Sequence, residues 1–443
     1  MPDEPPGPGS LDAAGLLPYV RDQPLIDQHC HGVIRREVDR PGFEALLTEA
    51  DYAGLPGISL FDSQIGLAVR RWCPPVLGLP PHTGPDAYLE QRAALGTAEV
   101  NRRFLRAAGL AALCVDTGFE PEPLASPAEM ATLAGGAAYE IVRLEQVAES
   151  VAADGISASG FAAAFRDALA GRARHAAGLK SVAAYRAGLD LPAARPTDAE
   201  VAAAAARWLG SPGVGSAPGV DSSPCPAASP GSAGSPGVDS APAPAASPGS
   251  AGSADGMPLR LADPVLHSFL IWCGTDLGLP IQFHVGYGDR DVDLHRGNPL
   301  LLTALLRAIA PTGTPVVLLH NYPYHREAGY LAQVFPYVYA DLGLATHNLG
   351  HRAAALIAEM LELIPFVKFL YSSDGFGLPE LHYLGAVLFR RGLSAFLRDG
   401  LGDGAWTDAD AARITRLTAC DNARRVYRLD RGPLRHTHLC GRQ

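Results

Sequence analysis

The sequence lacks the features of a disulfide-stabilised, membrane-spanning or nucleic-acid-binding protein. Its seven cysteines are scattered, odd in number and without a C-x-x-C pair, which argues against a disulfide framework and a structural zinc knuckle. No apolar run reaches the ~18 residues that a membrane-spanning helix needs, so we expect no membrane partner. The formal net charge is −10, and no block of Lys and Arg stands out, so we expect no nucleic-acid partner.

What is present suits a globular protein with a sizeable core. Apolar residues make up 47% of the chain and charged residues 19%. The 443 residues suffice for one large domain or two ordinary ones. The first residues show neither the basic start nor the apolar run of a secretory signal, so we expect a cytoplasmic protein.

The segment 211–256 differs sharply from the rest in composition. It consists almost entirely of Pro, Gly, Ala and Ser, and it contains a near-perfect tandem repeat, 218–235 followed by 236–253. Such a segment has little to bury, which predicts a disordered low-complexity insertion. Because a long surface loop costs little closure entropy, 1–210 and 257–443 are expected to form a single domain.

Outside that segment, short apolar runs alternate with Ala/Leu-rich helical stretches. Strands buried on both faces read as apolar runs, and alternation with helices predicts parallel pairing. Eight strand candidates are found at 24–32, 111–119, 139–147, 178–186, 280–288, 315–323, 338–345 and 369–377. Eight such units predict an α/β fold, a (β/α)₈ barrel.

Two regions fall outside this rhythm. The stretch 33–110 is too long for one helix, and we predict several extra helices there, an insertion after the first strand that caps the barrel mouth. The end of the chain is predicted to form one or two helices that pack back on the barrel.

Polar residues end four of the predicted strands. Functional residues of such barrels lie at the carboxyl ends of the strands. His29 and His31 end the first strand, and residues two apart point to one face. His284, His320 and Asp374 end the fifth, sixth and eighth strands.

Each of these signals alone is weak, since an H-x-H pair or a single histidine in a strand is more often structural. Their joint placement at the ends of four strands is the stronger evidence for a metal site. Histidines and a carboxylate around one divalent ion form a sound ligand set for Zn²⁺ or Mn²⁺. Cys30 points to the opposite face, and we expect it to pack in the core.

These residues resemble the amidohydrolase superfamily, which consists of metal-dependent (β/α)₈-barrel enzymes, and its amidohydrolase-2 branch in particular. The chain is similar to the amidohydrolase-like domain that some fungal and plant proteins fuse to a glutamine synthetase. Three blocks, 178–189, 320–342 and 369–380, carry this likeness.

The resemblance implies roles for the strand-end residues. His29, His31, His284 and Asp374 would bind the metal, and Asp374 would also act as general base. His320 would polarise the substrate carbonyl or steady the attacking water. Zn²⁺ is the expected ion, with Mn²⁺ as the alternative; one ion is favoured, and two are expected only if a lysine bridges them.

Lys180, in the fourth strand, is the candidate for that bridge. In binuclear members of the superfamily a strand-four lysine is carboxylated and joins two metals. Two alternatives stay open: Lys180 binds a substrate carboxylate as an ammonium, or it caps the barrel floor.

Further residues are candidates for the substrate pocket. An arginine at a barrel mouth suits a carboxylate, although arginines that only hold loops in place are equally common. The substrate-binding candidates are Tyr185, Arg186, Arg326 and Glu327, with Arg143 and Glu145, which would share a strand face, and Tyr322, Tyr324, His325 and His382 as further pocket candidates. We expect Asp116 to bind substrate or cap its turn, and His347 and His351 to lie on the surface or in loops.

The sequence therefore predicts a hydrolase that uses a metal-activated water on an amide C–N bond of a small carboxylate-bearing substrate, such as a γ-glutamyl amide. Two alternatives stay open. One is a metal-dependent non-oxidative decarboxylase of an aromatic or dienoic acid, and the other is a catalytically silent metal-binding barrel. The oligomeric state is open, a homodimer included.

The role of Lys180 can be tested by counting metal ions. If a carboxylated Lys180 bridges two ions, elemental analysis of the purified protein is expected to give two metals per chain, and Lys180→Met is expected to give one. One metal per fully active wild-type chain would exclude the bridge.

Overall fold

Parallel strands form the centre of the fold. The computed structural model describes residues 15–50, 57–210 and 259–429. Within these ranges seven strands, all parallel, form one sheet in the order of the chain. They are β1 Leu25–Cys30, β2 Leu110–Asp116, β3 Ala137–Arg143, β4 Gly178–Ser181, β5 Ile281–Val285, β6 Val316–His320 and β7 Val338–Ala340.

The strands form where the sequence carries apolar, β-branched runs. Every residue of β1, β4, β5 and β6 is buried, as expected for strands covered on both faces. The register aligns their carboxyl ends: Arg143 lies opposite Lys180, and Val285 opposite His320. Side chains at these ends therefore face a common mouth.

The segment 369–375 lies between β7 and β1 and occupies the position of the eighth strand. Leu370 N donates to Ala340 O at 3.0 Å, and Gln28 N donates to Tyr371 O at 3.1 Å. Asp374 N donates to His29 O at 3.0 Å. These bonds bring Asp374 beside the end of β1.

Helices surround the sheet. In chain order they are α1 Pro18–Arg21, α2 Arg40–Ala45, α3 Gln64–Trp72, α4 Pro85–Leu95, α5 Thr97–Ala107, α6 Pro127–Ala134, α7 Leu144–Ala153, α8 Phe161–Arg172, α9 Asp198–Gly210, α10 Pro264–Asp276, α11 Thr303–Ile309, α12 His325–Val334, α13 Gly343–Asn348, α14 Ala353–Met360, α15 Pro379–Asp403, α16 Asp408–Arg416 and α17 Asn422–Tyr427. A π-helical turn, Leu417–Asp421, joins α16 to α17.

The predicted barrel is confirmed, with corrections at four strands. The fourth ends at Ser181, because a short 3-10 helix begins at Ala183. The third strand ends at Arg143, because Leu144, Val147, Ala148 and Val151 recur at helical spacing and bury one face of α7. The seventh is short, since α13 begins at Gly343. The eighth position carries a single bridge, Ala340 to Phe369, instead of a regular strand. The expected insertion 211–256 lies outside the described residues.

The stretch 33–110 contains α2 to α5, as predicted for an insertion after the first strand. Most of its buried apolar side chains pack in a hydrophobic cluster separate from the main core. The rings of Phe43 and Phe61 stack there at 5.6 Å, and Leu384 and Val387 of α15 complete the cluster. The insertion is thus anchored against α15.

A buried ion pair fixes the same contact. Arg92 Nε of α4 lies 2.8 Å from Glu380 Oε1 at the start of α15, and both side chains are buried. The hydroxyl of Tyr88 donates to the same carboxylate oxygen at 2.9 Å. The carboxylate of Glu380 thus has two donors that offset its desolvation.

The opposite end of the barrel is closed by α17, which confirms the predicted packing of the chain end. The hydroxyl of Tyr427 contacts the side chains of Gln28 and Gln282, both inside the barrel. Among the described residues no helix combines the length and hydropathy needed to cross a membrane.

Breaking the Arg92–Glu380 pair is expected to destabilise the protein. In Glu380→Gln the buried guanidinium of Arg92 loses its counter-charge, a loss that typically costs ~3–5 kcal/mol. The free energy of unfolding in urea measures it. The matched control is Glu99→Gln, whose ion pairs with Arg102 and Arg103 are partly exposed, so that ~0–1 kcal/mol is expected. Equal losses in both variants would contradict this prediction.

Candidate metal centre and substrate cavity

Three predicted ligands meet at the carboxyl end of the barrel. His29 Nε2 lies 3.0 Å from Asp374 Oδ1, and His31 Nε2 lies 3.6 Å from the same oxygen. One ligand atom of each residue lies within 4.8 Å of the others. His29 and His31 are buried, and the Asp374 side chain is 11% exposed. This arrangement follows from the i, i+2 spacing of β1 and the closure of the barrel at 369–375.

Two further histidines reach the same place from β5 and β6. His320 Nδ1 lies 3.4 Å from Asp374 Oδ2. The ring of His284 lies 4.6 Å from that of His320, measured between centroids. All four histidines predicted from strand ends are therefore neighbours of Asp374 or of one another.

Lys180 also belongs to this cluster. Its Nζ lies 2.8 Å from His29 Nε2 and 3.5 Å from Asp116 Oδ2, and the side chain is buried. Burial lowers the pKa of Lys180, although Asp116 opposes that shift. The side chain is at the mouth and not at the floor of the barrel, which removes the floor-capping alternative.

The chemistry of the donor atoms fits a divalent cation. Burial lowers the pKa of His31 to about 3 and the pKa values of His284 and His320 well below the ordinary value. These imidazoles are therefore neutral, the form that binds metals. The buried His284 Nε2 and both ring nitrogens of His320 have no hydrogen-bond partner among the described residues.

Asp374 is the negative charge at the centre of these groups. Burial alone would raise the pKa of Asp374, but His320, His29 and Lys180 outweigh burial and hold it well below its usual range. Its φ of +51° lies in the left-handed region, as do the φ values of His320 (+69°) and Asn321 (+64°). Such strain persists only where surrounding contacts fix the backbone.

Asp341, which the sequence analysis did not single out, supplies some of those contacts. Its Oδ1 accepts from His320 N at 2.6 Å, and its Oδ2 accepts from Ser372 Oγ at 2.7 Å and from the side chain of Gln28. Burial raises the pKa of Asp341 to about 6. The only local signal was its place just after a strand, in "VYADLG".

On the other side, Asp27 supports the segment that carries Asp374. Asp27 accepts from Ser373 N at 2.9 Å and from Ser373 Oγ at 2.5 Å. Asp27, Cys30 and His382 form a second buried group of metal-ligand type. Because Asp27 is already satisfied by Ser373 and Cys30 packs in the main core, we assign no ion there.

A cavity of about 490 Å³ opens over the cluster. It is lined by charged residues, aromatic rings and part of the cap; these include His31, Glu49, Phe119, Arg143, Lys180, Tyr185, Arg186, Arg260, Asp289, Asp291, His347, Asp374 and Phe376. The cap contributes 45, 46 and 48–50. The ring of Tyr185 lies 4.2 Å from that of His284.

Arg143 lines the cavity and is linked to Lys180 of the ligand cluster through Asp116. It donates to Asp116 Oδ2 at 2.6 Å, and its guanidinium lies 5.6 Å from the centre of the Phe119 ring. Asp116 also accepts from Gly118 N at 2.8 Å, the turn-capping contact expected for it. Arg143 Nε has no partner among the described residues.

The other pocket candidates either pair with an acid of the protein or lie outside the cavity lining. Arg186 lines the cavity but pairs with Glu149 at 2.9 Å. Arg326 is exposed and pairs with Glu362, and neither it nor Glu327 lines the cavity. Tyr322, Tyr324, His325 and His382 do not line it either.

Two expectations need correction. Glu145 is not on a strand face with Arg143: it lies in α7 and accepts from Ser181 Oγ at 2.7 Å. His347 is not a surface residue, because α13 begins at the cavity and buries it. His351 is exposed, as predicted.

Residues 122–429 match the model of the family described as Amidohydrolase. The chain belongs to this family. The matched range includes Lys180, His284, His320 and Asp374, whereas His29 and His31 precede it. Family membership implies a hydrolase that uses a divalent metal, and the ligand groups for such an ion are present.

Individual proteins also resemble this chain. The chain is 36% identical to protein fluG of Emericella nidulans over 160 residues, 36% of this chain and only 18% of that protein. A solved structure described as a metal-dependent hydrolase from Lactobacillus casei matches with a TM-score of 0.70 and 28% identity. The match covers 93% of this chain and 96% of that chain. Uronate isomerase of Thermotoga maritima (TM-score 0.55, 12% identity, coverage 94% and 99%) shares the fold alone.

The support from Asp341 can be tested by metal affinity. Asp341→Asn removes the carboxylate that holds His320 N, and groups that orient metal-site residues typically contribute 10–100-fold to affinity or activity. We expect a drop of about that size in zinc affinity, measured by competition with a chelator. Asp293→Asn, at an exposed aspartate paired with His295, is the matched control. Wild-type affinity in Asp341→Asn would contradict the assignment.

Proposed function

We propose that this chain hydrolyses an amide C–N bond of a small carboxylate-bearing molecule and that Zn²⁺, or alternatively Mn²⁺, is its metal. The observation that carries the proposal is the group of neutral, buried imidazoles around Asp374 at the base of the cavity. His29, His31, His284 and Asp374 would hold the ion. A divalent ion, when bound, lowers the pKa of a water towards ~7 and polarises a carbonyl oxygen.

Asp374 is suited to move the proton. Its carboxylate is ionised at neutral pH, because the surrounding groups hold its pKa low, and it faces the histidines that end β1 and β6. It would accept the proton of the attacking water and pass it to the leaving nitrogen. His320, neutral and adjacent, would orient the substrate carbonyl by a hydrogen bond.

Lys180 keeps two open roles, the bridge between two ions and the binding of a substrate carboxylate. Its contact with His29 and its depressed pKa are compatible with carboxylation, because a lysine reacts in its neutral form. In either role, Lys180 would act at the side of the cavity where the proposed ligands lie.

The walls of the cavity favour an anionic substrate with an uncharged reacting bond. Arg143 lines the cavity beside Asp116, and a guanidinium binds a carboxylate with a planar fork. Tyr185 packs on His284, and Phe119 and Phe376 contact one another near His31. The rings exclude water from the reacting bond, which strengthens electrostatic interactions there.

The proposal is tested with the metal-loaded protein on γ-glutamyl amides and aromatic acids. We expect release of ammonia or amine without carbon dioxide. Asp374→Asn is expected to lose ~10²–10⁴-fold of kcat, the usual share of general acid–base catalysis, or more if metal is also lost, whereas Asp293→Asn retains activity.

Two other outcomes identify the alternatives. Carbon dioxide release without amine would indicate the non-oxidative decarboxylase. If the wild type and Asp374→Asn behave alike in every assay while metal is bound, the chain is a silent metal-binding barrel.

A further inference from the structure

The charges around the cavity are unevenly satisfied. Arg186 pairs with Glu149 at 2.9 Å, and Arg260 pairs with Asp291 at 2.6 Å. Arg143 pairs with Asp116 at 2.6 Å. Each arginine of the cavity wall thus has a carboxylate partner within the protein.

Among the acidic residues of the cavity wall, Glu49 differs because its side chain has no such partner in the described ranges. It lies in the loop after α2, where the cap meets the cavity, and it lines that cavity. Its carboxylate has neither a hydrogen bond nor an ion pair with the residues that the structure describes. The three arginines of the cavity wall pair with other acids.

The surroundings of Glu49 penalise its negative charge. Burial raises the pKa of Glu49 to about 8, and the charges of Asp374 and Asp289 add to that rise. No lysine or arginine of the described ranges offsets them. A desolvated carboxyl group that faces a cavity without a partner costs free energy. A cation bound in the cavity would remove this cost and restore the ionised form.

We propose that Glu49 binds a protonated amino group of the substrate. This rests on the proposed function and sharpens it: the substrate carries an ammonium group for Glu49, as an amide of an α-amino dicarboxylic acid does. The cap then selects the substrate, while the strand ends carry out the reaction.

The charge pattern gives this preference a direction. An uncharged or purely anionic ligand leaves Glu49 either protonated or facing other acids without compensation. An ammonium group supplies three donors and a full positive charge. Because hydrogen bonds between charged groups are about twice as strong as neutral ones, loss of the amino group should weaken binding substantially.

The test compares two substrates that differ only in the amino group, a γ-glutamyl amide and the glutaryl amide of the same amine. We expect wild-type kcat/KM to favour the γ-glutamyl amide about 10- to 100-fold, the usual range for a charged hydrogen bond. In Glu49→Gln, which is nearly isosteric, the ratio should fall to about one. The matched control is Glu90→Gln, at an exposed glutamate of α4 that does not line the cavity, and it should keep the wild-type ratio.

The failures are distinguishable. Equal turnover of both amides by the wild type, or an unchanged ratio in Glu49→Gln, would overturn the role of Glu49 and leave the proposed hydrolase intact. If neither amide is hydrolysed, the proposed function fails, and calorimetry with L-glutamate and glutarate then decides the role of Glu49. Tighter binding of L-glutamate that disappears in Glu49→Gln supports the amino-group site, and equal binding of the two acids excludes it.

Discussion

The carboxylate of Asp374 and the imidazoles around it form the interaction on which the rest of the site depends. A buried carboxylate is costly unless positive charge or hydrogen-bond donors surround it. Here His29, His31 and His320 lie within 3.6 Å of its oxygens. Burial keeps His31 and His320 neutral, so that the site has unsatisfied nitrogen donors next to one negative charge. A divalent cation would bind the free nitrogens and would offset the negative charge of Asp374.

The fold brings these groups together by closing the sheet. Asp374 reaches the end of β1 only because the segment 369–375 bonds to β7 on one side and to β1 on the other. Asp374 and His320 adopt strained, left-handed backbone conformations in these positions. Asp341 and Asp27 hold the two strained segments from outside the ligand cluster, and each does so through hydrogen bonds to backbone N–H groups.

The cap is packed against the barrel and contributes part of the cavity wall. Its own hydrophobic cluster and the Arg92–Glu380 pair anchor it to α15, the helix that follows Asp374. Phe43 of α2 belongs to this cluster, and Glu49, four residues after the end of α2, lines the cavity. In the function that we propose, the strand ends carry the reaction chemistry and the cap contributes to substrate recognition, as is usual where a rigid scaffold carries variable loops.

Local sequence pattern determined the barrel and its strand-end histidines. Strand burial and the i, i+2 rule are properties of backbone geometry, so that "IDQHCHG" indicated His29 and His31 on one face and Cys30 on the other. Boundaries were less accurate where helical spacing began inside an apolar run, as at Leu144.

Only the tertiary structure decided which other side chains reach the cavity. Arg326 points to Glu362 on the surface, whereas His347, of the same polar character, lies buried at the cavity. Asp341 meets Gln28 across 313 positions of sequence, and Glu49 meets the cavity through the packing of an inserted cap. No local periodicity encodes such contacts, because they depend on how distant elements pack and on where a loop is carried by the helices that flank it.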